Sequence, residues 1–383
     1  MSINSNMIYF DIAATTPLDP RVSDMMNKVN QESFGNPSSI HQFGQKAHNL
    51  LEKNRKKIAE ILCCHESEVF FTSGGTESNN IALQGVLNKG DHLITSNYEH
   101  PAILKLAKHL EKNNIEVTYI KPNTDGIIQS QTVIDAIKNN TKLVSIMYVN
   151  NEIGSINPIN EIAELCNNKN ILFHTDAVQY IGKDKFIFSN KNIDLLSIGA
   201  HKFYGPKSIG LLYVKKGVEL NPLFIGGGQE KGLRPGTENI SLIVGMTEAL
   251  SIAYNEMDNN LLHIKKMEEL FIHELRKTKI NFRINGSPRL SGLINITFND
   301  IDGQTLLMQL DMLGFAISYG SACASGSSKP SSALLNIGLS DECAKKTVRI
   351  SIGKYITKEN ILSLVSNLQS IIPKKNKVGE KID

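Results

Sequence analysis

The sequence predicts an α/β protein with a large, mainly parallel sheet and a smaller α+β domain, and three observations carry that expectation. Between Val69 and Val214, short β-branched and apolar runs alternate with helix-compatible stretches, the order of right-handed βαβ crossovers. The chain of 383 residues exceeds one average domain, so two are expected. Thr76, His100, Asn151, Asp176 and Lys202 each stand just past an apolar run, and such sheets bind ligands at the carboxyl ends of their strands.

Taken in order, Ile8-Tyr-Phe-Asp-Ile-Ala-Ala-Thr-Thr-Pro17 reads as a short strand and a bend of small residues that allow close approach, with Pro17 and Pro20 opening a helix. The turn formers of Phe34-Gly-Asn-Pro-Ser-Ser-Ile-His41 precede a helix from about Phe43 to Leu62; that loop is either punctuation or a substrate wall. In Val69-Phe-Phe-Thr-Ser-Gly-Gly-Thr-Glu-Ser-Asn-Asn80 a strand gives way to two glycines and a helix. The first N–H groups of a helix lack intrahelical partners, so Gly75 and Thr76 suit an anion such as phosphate, although the Walker spacing is missing. Strands follow at His92–Ser96, Val117–Ile120, Leu143–Met147 and Ile171–Asp176, with helices after Pro101 and near Val133 and Glu161. The glycine-rich connection Phe224–Asn239 reads as a loop that bridges two subunits, and a helical stretch continues to about Asn260 and then to Lys277. Strands at Leu293–Phe298, Ile317–Tyr319 and Thr347–Gly353, completed by the N-terminal strand, make the smaller domain.

Lys202 is the residue around which the rest is organised. It follows the apolar run Leu195–Ile198 and precedes Ile209-Gly-Leu-Leu-Tyr-Val214, a setting where lysine serves stability poorly. A surface lysine in a turn is the plain reading. The chemical one is Schiff-base formation, because loss of hydration lowers an amine's pKa and exposes its lone pair to an aldehyde such as pyridoxal phosphate. That cofactor needs an acid for its ring nitrogen, a stacking group and a phosphate cradle. Cys323, in Ser318-Tyr-Gly-Ser-Ala-Cys-Ala-Ser-Gly-Ser-Ser-Lys-Pro-Ser-Ser332, has no apolar setting and reads as a presented nucleophile, whereas Cys63, Cys64, Cys166 and Cys343 sit in helix-like segments that suit packed thiols. Arg349, flanked by apolar residues, pairs either with a buried carboxylate of the protein or, as preferred here, with a substrate carboxylate gripped bidentately.

Composition sets the class. Hydrophobic content of 41% with 21% charged residues is that of a globular chain, and a net charge of +3 is too small to argue for nucleic acid. Lys374, Lys375, Lys377 and Lys381 read as a solvated tail, with an acidic carrier protein or tRNA as the other reading. Five cysteines without CxxC spacing suggest neither a disulfide framework nor a metal site. With no signal pattern at Met1–Asn6 and no membrane-length apolar run, a cytoplasmic protein is expected.

These motifs together resemble the NifS/IscS-like cysteine desulfurases, class-V aminotransferase relatives with the pyridoxal-phosphate transferase fold of aspartate aminotransferase. The resemblance spans the chain and rests on Tyr9–Thr16, Phe34–Ser39, Thr72-Ser-Gly-Gly-Thr-Glu-Ser78, Glu99-His100, Val149-Asn-Asn-Glu-Ile-Gly154, His174-Thr-Asp-Ala-Val-Gln179, Ala200-His-Lys-Phe-Tyr-Gly-Pro-Lys207, Arg234-Pro-Gly-Thr237 and Gly320-Ser-Ala-Cys-Ala-Ser325. It implies a seven-stranded, mainly parallel sheet in a cofactor domain of residues 14–257, and a smaller domain of residues 1–13 and 258–383 carrying the cysteine loop at about 318–332. It implies that Lys202 holds pyridoxal phosphate, Asp176 faces the ring nitrogen, His100 stacks on the ring, and Gln179 and Asn151 attend its phenolic edge. Gly75, Thr76 and His201 would hold the phosphate, with Thr237 reaching in from the second subunit of a homodimer, and Arg349 with Asn151 would hold the substrate carboxylate. The implied reaction takes L-cysteine to alanine and leaves a persulfide on Cys323, with His100 as acid–base. Sulfur would then pass to an acceptor protein of iron–sulfur assembly or tRNA thiolation. Gly199 departs from the pattern, standing where many relatives have a phosphate-binding serine. Selenocysteine lyase or another amino-acid enzyme of the same fold is the alternative.

Overall fold

The computed structural model describes residues 7–186, 192–320 and 330–373. Cys323 and the lysines from Lys374 onward therefore lie outside the described residues. Twelve strands are present among those described: β1 (Ile8–Tyr9), β2 (Val69–Thr72), β3 (His92–Ser96), β4 (Glu116–Ile120), β5 (Thr141–Ser145), β6 (Leu172–Asp176), β7 (Leu195–Gly199), β8 (Gly210–Val214), β9 (Phe282–Ile284), β10 (Leu293–Phe298), β11 (Phe315–Ala316) and β12 (Thr347–Ser351).

Seven of them form one sheet in the order β2-β8-β7-β6-β5-β3-β4. β8 pairs antiparallel with both β2 and β7, and the remaining pairings are parallel. The central strands are buried on both faces, which suits near-continuous apolar runs such as Leu-Leu-Ser-Ile-Gly in β7. A separate antiparallel sheet, β12-β10-β9, and the parallel pair β1-β11 belong to the smaller part of the molecule. Ile8 and Tyr9 pair with Phe315 and Ala316, so the N-terminal strand does complete that part. The strand expected at Ile317–Tyr319 lies two residues earlier, because Ser318 leaves the ladder to bridge Arg349.

Phe10, Phe271, Ile294, Phe298, Leu306, Val348 and Leu368 form a core of their own, distinct from the apolar layers on either face of the large sheet. The cysteines pack less uniformly than expected. Cys166 is buried, Cys64 and Cys343 are half-buried, and Cys63 is exposed, since it ends the helix Gln42–Leu62 with a left-handed backbone (φ 59°) that turns its side chain outward.

Candidate active site

Three chain segments meet at the carboxyl ends of β2, β6 and β7. After β2 the chain turns through Gly74, whose φ of 147° is a glycine conformation, into the helix Gly75–Val86, which has no side-chain cap. A Cβ on Gly75 would come within 2.6 Å of Val178 Cγ2, so only glycine lets this helix start close against the turn after β6. Its first N–H groups thus open onto a cavity without a side chain closing them off.

After β7 the chain makes a 3-10 turn over Ala200–Lys202. The Ala13–Thr16 stretch straps across it: the Thr16 N–H and hydroxyl both donate to the His201 carbonyl at 2.9 Å, and Lys202 Nζ donates to the carbonyls of Ala13 at 2.6 Å and Ala14 at 2.8 Å. The small side chains of that strap let its backbone approach the lysine. Gln179 Nε2 donates to the same Ala13 carbonyl at 2.7 Å.

The cavity enclosed by these segments has a volume of about 260 Å³. Gly75, Thr76, His100, Asn151, Asp176, Gln179, His201, Lys202 and Arg349 all line it, together with Asn79 and Val178. Residues scattered over most of the sequence are thereby brought into one space. Thr237 is not among them: it is exposed, on a connection tethered elsewhere. That connection is held by Glu230, which is buried, pairs with Arg55 at 2.7 Å and accepts the Phe71 N–H. A wider cavity of about 580 Å³ surrounds this ion pair but holds none of the predicted site residues.

The electrostatics follow from burial and neighbours. Asp176 Oδ2 accepts from Asn79 Nδ2 at 2.7 Å and Oδ1 from the Val178 N–H at 3.0 Å. His100 caps the helix Pro101–Lys112, its Nδ1 accepting the Ala102 N–H at 3.1 Å, which leaves the proton of a neutral ring on Nε2. Burial pushes His100 below the usual histidine range; the Asp176 carboxylate opposes that and the Lys202 charge adds to it. Burial also brings His201 down to about 4, with Lys202, Lys183, Lys207 and His100 acting in the same direction. Both imidazoles are neutral near pH 7.

Arg349 realises the first of its two sequence readings. Its Nη2 pairs with Asp11 Oδ1 at 2.7 Å and donates to Ser318 Oγ at 3.1 Å, and Nη1 donates to the Asn151 carbonyl at 2.6 Å. Its Nε is buried without a partner among the described residues. Asp11, Asn79, Arg55 and Glu230 were not assigned roles from the sequence. Asn79 had a usable signal: it stands three residues after Thr76, on the same face of the helix.

The residues flanking the cysteine segment are close to this site. Gly320 and Pro330 line a cavity of about 220 Å³ with Glu99 and Pro101, the neighbours of His100, and with Glu152.

Residues 8–364 match the class-V aminotransferase family, and the chain belongs to that family. Within it, the chain groups with the NifS/IscS-like cysteine desulfurases. It is 42% identical over 373 residues to the cysteine desulfurase IscS of Dictyoglomus turgidum, covering 96% of this chain and 95% of the relative. A solved NifS-like protein superposes with a TM-score of 0.89 at 34% identity, covering 95% of this chain and 99% of the other. A structure of SspA in complex with cysteine gives 0.80 at 39% identity, covering 91% and 99%.

Proposed function

We infer that this protein is a pyridoxal-phosphate-dependent cysteine desulfurase that moves sulfur from L-cysteine onto its own Cys323. The observation that carries the reading is the single cavity in which Lys202, Asp176, His100 and Arg349 converge with the open start of a helix. The residues fit the cofactor. Gly75 leaves room for an anion at the uncapped helix, Asp176 offers a fixed carboxylate, and Lys202 offers an amine between them. Lys202 would hold the aldehyde, Asp176 the ring nitrogen, His100 a ring face, Gln179 and Asn151 the phenolic edge, and Gly75, Thr76 and His201 the phosphate. When bound, the cofactor supplies an electron sink that acidifies the substrate α-carbon.

The chain's own groups do the rest. Arg349, which lines the cavity, would orient the substrate carboxylate beside Asn151. Lys202 Nζ moves the α-proton. His100, neutral with its proton on Nε2, serves first as a donor near the substrate sulfur. Cys323 thiolate attacks that sulfur: an S–S bond forms, the carbon–sulfur bond breaks, its electron pair stays on carbon, and a proton completes alanine. The enzyme keeps the persulfide for an acceptor protein of iron–sulfur assembly or tRNA thiolation.

Residues 14–257 act in this reading as the cofactor domain and residues 1–13 with 258–383 as the smaller one; Phe10 and most buried apolar residues from Phe271 to Ile372 share a separate core, while Leu290, Ala333, Leu334, Ile337, Leu339 and Ala344 pack into the core of the large sheet. A homodimer is supported by Thr237, exposed and outside the cavity, and by apolar side chains left in solvent, including Ile40 and Ile225, each 91% exposed. Thr237 would reach the phosphate of the partner subunit's site. Among the described residues no helix is long and apolar enough to cross a membrane.

The test is peptide-mapped mass spectrometry after brief exposure to L-cysteine without reductant. One added sulfur atom on Cys323 is expected, lost in Cys323→Ala, which should retain the cofactor; sulfide release undiminished in that variant would overturn the reading.

A further inference from the structure

Lys183 has entered so far only as one of the charges acting on His201. It follows Gly182, where φ is 76° and an added Cβ would come within 2.5 Å of Phe203 Cβ. The glycine therefore lets the turn after β6 press onto the residue next to Lys202, and this carries Lys183 inward behind the cavity wall without lining the cavity. Its Nζ donates to Gln179 Oε1 at 2.7 Å.

The other end of that amide is equally committed. Gln179 Nε2 donates to the Ala13 carbonyl at 2.7 Å, and a carbonyl can only accept, so the nitrogen must face it and the oxygen must face Lys183. One N–H of Nε2 remains for the cavity that Gln179 lines. Burial pushes Lys183 far below the ordinary lysine range, and the charges of Lys202 and Arg349 act in the same direction. A neutral amine still has protons to donate to Oε1.

We propose that Lys183 is a positioning residue, which by holding Gln179 Oε1 keeps the free Gln179 N–H turned toward the phenolic oxygen of bound pyridoxal phosphate. This rests on the cofactor reading above. A hydrogen bond to the phenolate spreads its charge and weakens its hold on the neighbouring proton, so the linkage to Lys202 gives up that proton at lower pH.

The experiment is a pH titration of the visible absorbance of the cofactor-loaded protein. Lys183→Met should raise the midpoint by roughly one pH unit. Gln179→Leu should raise it by the same amount, and the double variant no further, since one residue acts through the other. If Lys183→Met does not fold, Lys183→Gln, whose shorter side chain leaves the Nζ position empty, takes its place. An unmoved midpoint in a folded, loaded variant overturns the proposal alone, as do additive shifts in the double variant. Absence of any titrating visible band in the unsubstituted protein overturns the cofactor reading and the proposal with it.

Discussion

Asn79 Nδ2 meets Asp176 Oδ2 at 2.7 Å, joining the helix that opens at Gly75 to the end of β6. One helix thus presents at its start the uncapped turn proposed to hold the phosphate and, one turn later, the donor that fixes the acid. With the Val178 N–H on Oδ1, both Asp176 oxygens are oriented before any ligand arrives. Removing Asn79 takes the donor from Oδ2 of a buried carboxylate and leaves it held, among the described residues, by the Val178 N–H alone, so it is less firmly oriented toward a ring nitrogen. Asn79→Ala should weaken cofactor retention by about five- to tenfold, a fraction of a full charge-assisted hydrogen bond. Equilibrium dialysis followed by absorbance would measure it; retention equal to the unsubstituted protein would show that the Val178 N–H suffices.

Gly199 closes β7 beside the uncapped start of the helix Gly75–Val86. Its φ of −131° and ψ of 122° are ordinary for any residue, and a Cβ there would sit 3.4 Å from Val178 Cγ1 and 3.6 Å from the Gly75 nitrogen. The position therefore accepts a side chain, and a hydroxyl on it would stand near the N–H groups proposed to hold the phosphate. Gly199→Ser should tighten cofactor binding by about tenfold, the lower end for a hydrogen bond to a charged group. The affinity measured by titrating the apo-protein decides it, and unchanged or weaker binding would mean that the hydroxyl points away.

Arg349 carries a buried pairing and the substrate role proposed above, neither of which a lysine can replace. Both N–H groups of Nη2 are committed to Asp11 and Ser318 and one of Nη1 to the Asn151 carbonyl, so the second Nη1 N–H and the buried Nε are what remains. Lysine offers one nitrogen and no planar fork. Arg349→Lys should raise KM for cysteine by about tenfold or more and lower stability by about 2 kcal/mol, since a buried donor set is lost along with part of an ion pair. Steady-state kinetics and urea unfolding read the two effects separately. An unchanged KM with lowered stability would restrict Arg349 to its pairing with Asp11.

What the sequence made legible, and what it hid, divides by distance along the chain. β3 and β10 occupy the expected residues because their short runs, His-Leu-Ile-Thr-Ser and Leu-Ile-Asn-Ile-Thr-Phe, are rich in β-branched and apolar residues and fit strand length. Asp176 and Lys202 were legible because parallel topology puts the residue after each run at one edge. Lys183 and Asp11 were not, since their pairing with Gln179 and Arg349 shows only once a turn or a distant strand has been placed. The Arg55–Glu230 pair joins residues far apart in sequence and depends on positive φ at Glu230 and Lys231, which no local pattern signals for these residue types.

Glu99, between Ser96 and His100, gives the fold a pH dependence of its own. Its carboxyl is buried; Oε1 accepts from Ser96 Oγ at 2.6 Å and from the Met147 N–H at 3.0 Å, while Oε2 has no partner among the described residues. Burial pushes its pKa up to about 8; the bonds from Ser96 and Met147 pull downward, and the Asp176 charge adds to the rise. In the unfolded chain the group titrates near 4.5, so between these values the native state holds a proton that the unfolded state has released. Its contribution is full below about pH 4.5 and is lost as pH climbs through about 8, with an upper bound of about 5 kcal/mol. Glu99→Gln cannot titrate. Urea unfolding at pH 5 and pH 9 should show a marked loss of stability in the unsubstituted protein and a smaller one in Glu99→Gln. Equal losses in the two proteins would mean that Glu99 is already ionised in the fold at pH 5. A flattened profile would mean that a neutral acid stands behind the imidazole, leaving the Asp176 carboxylate and Lys202 to set the protonation of His100.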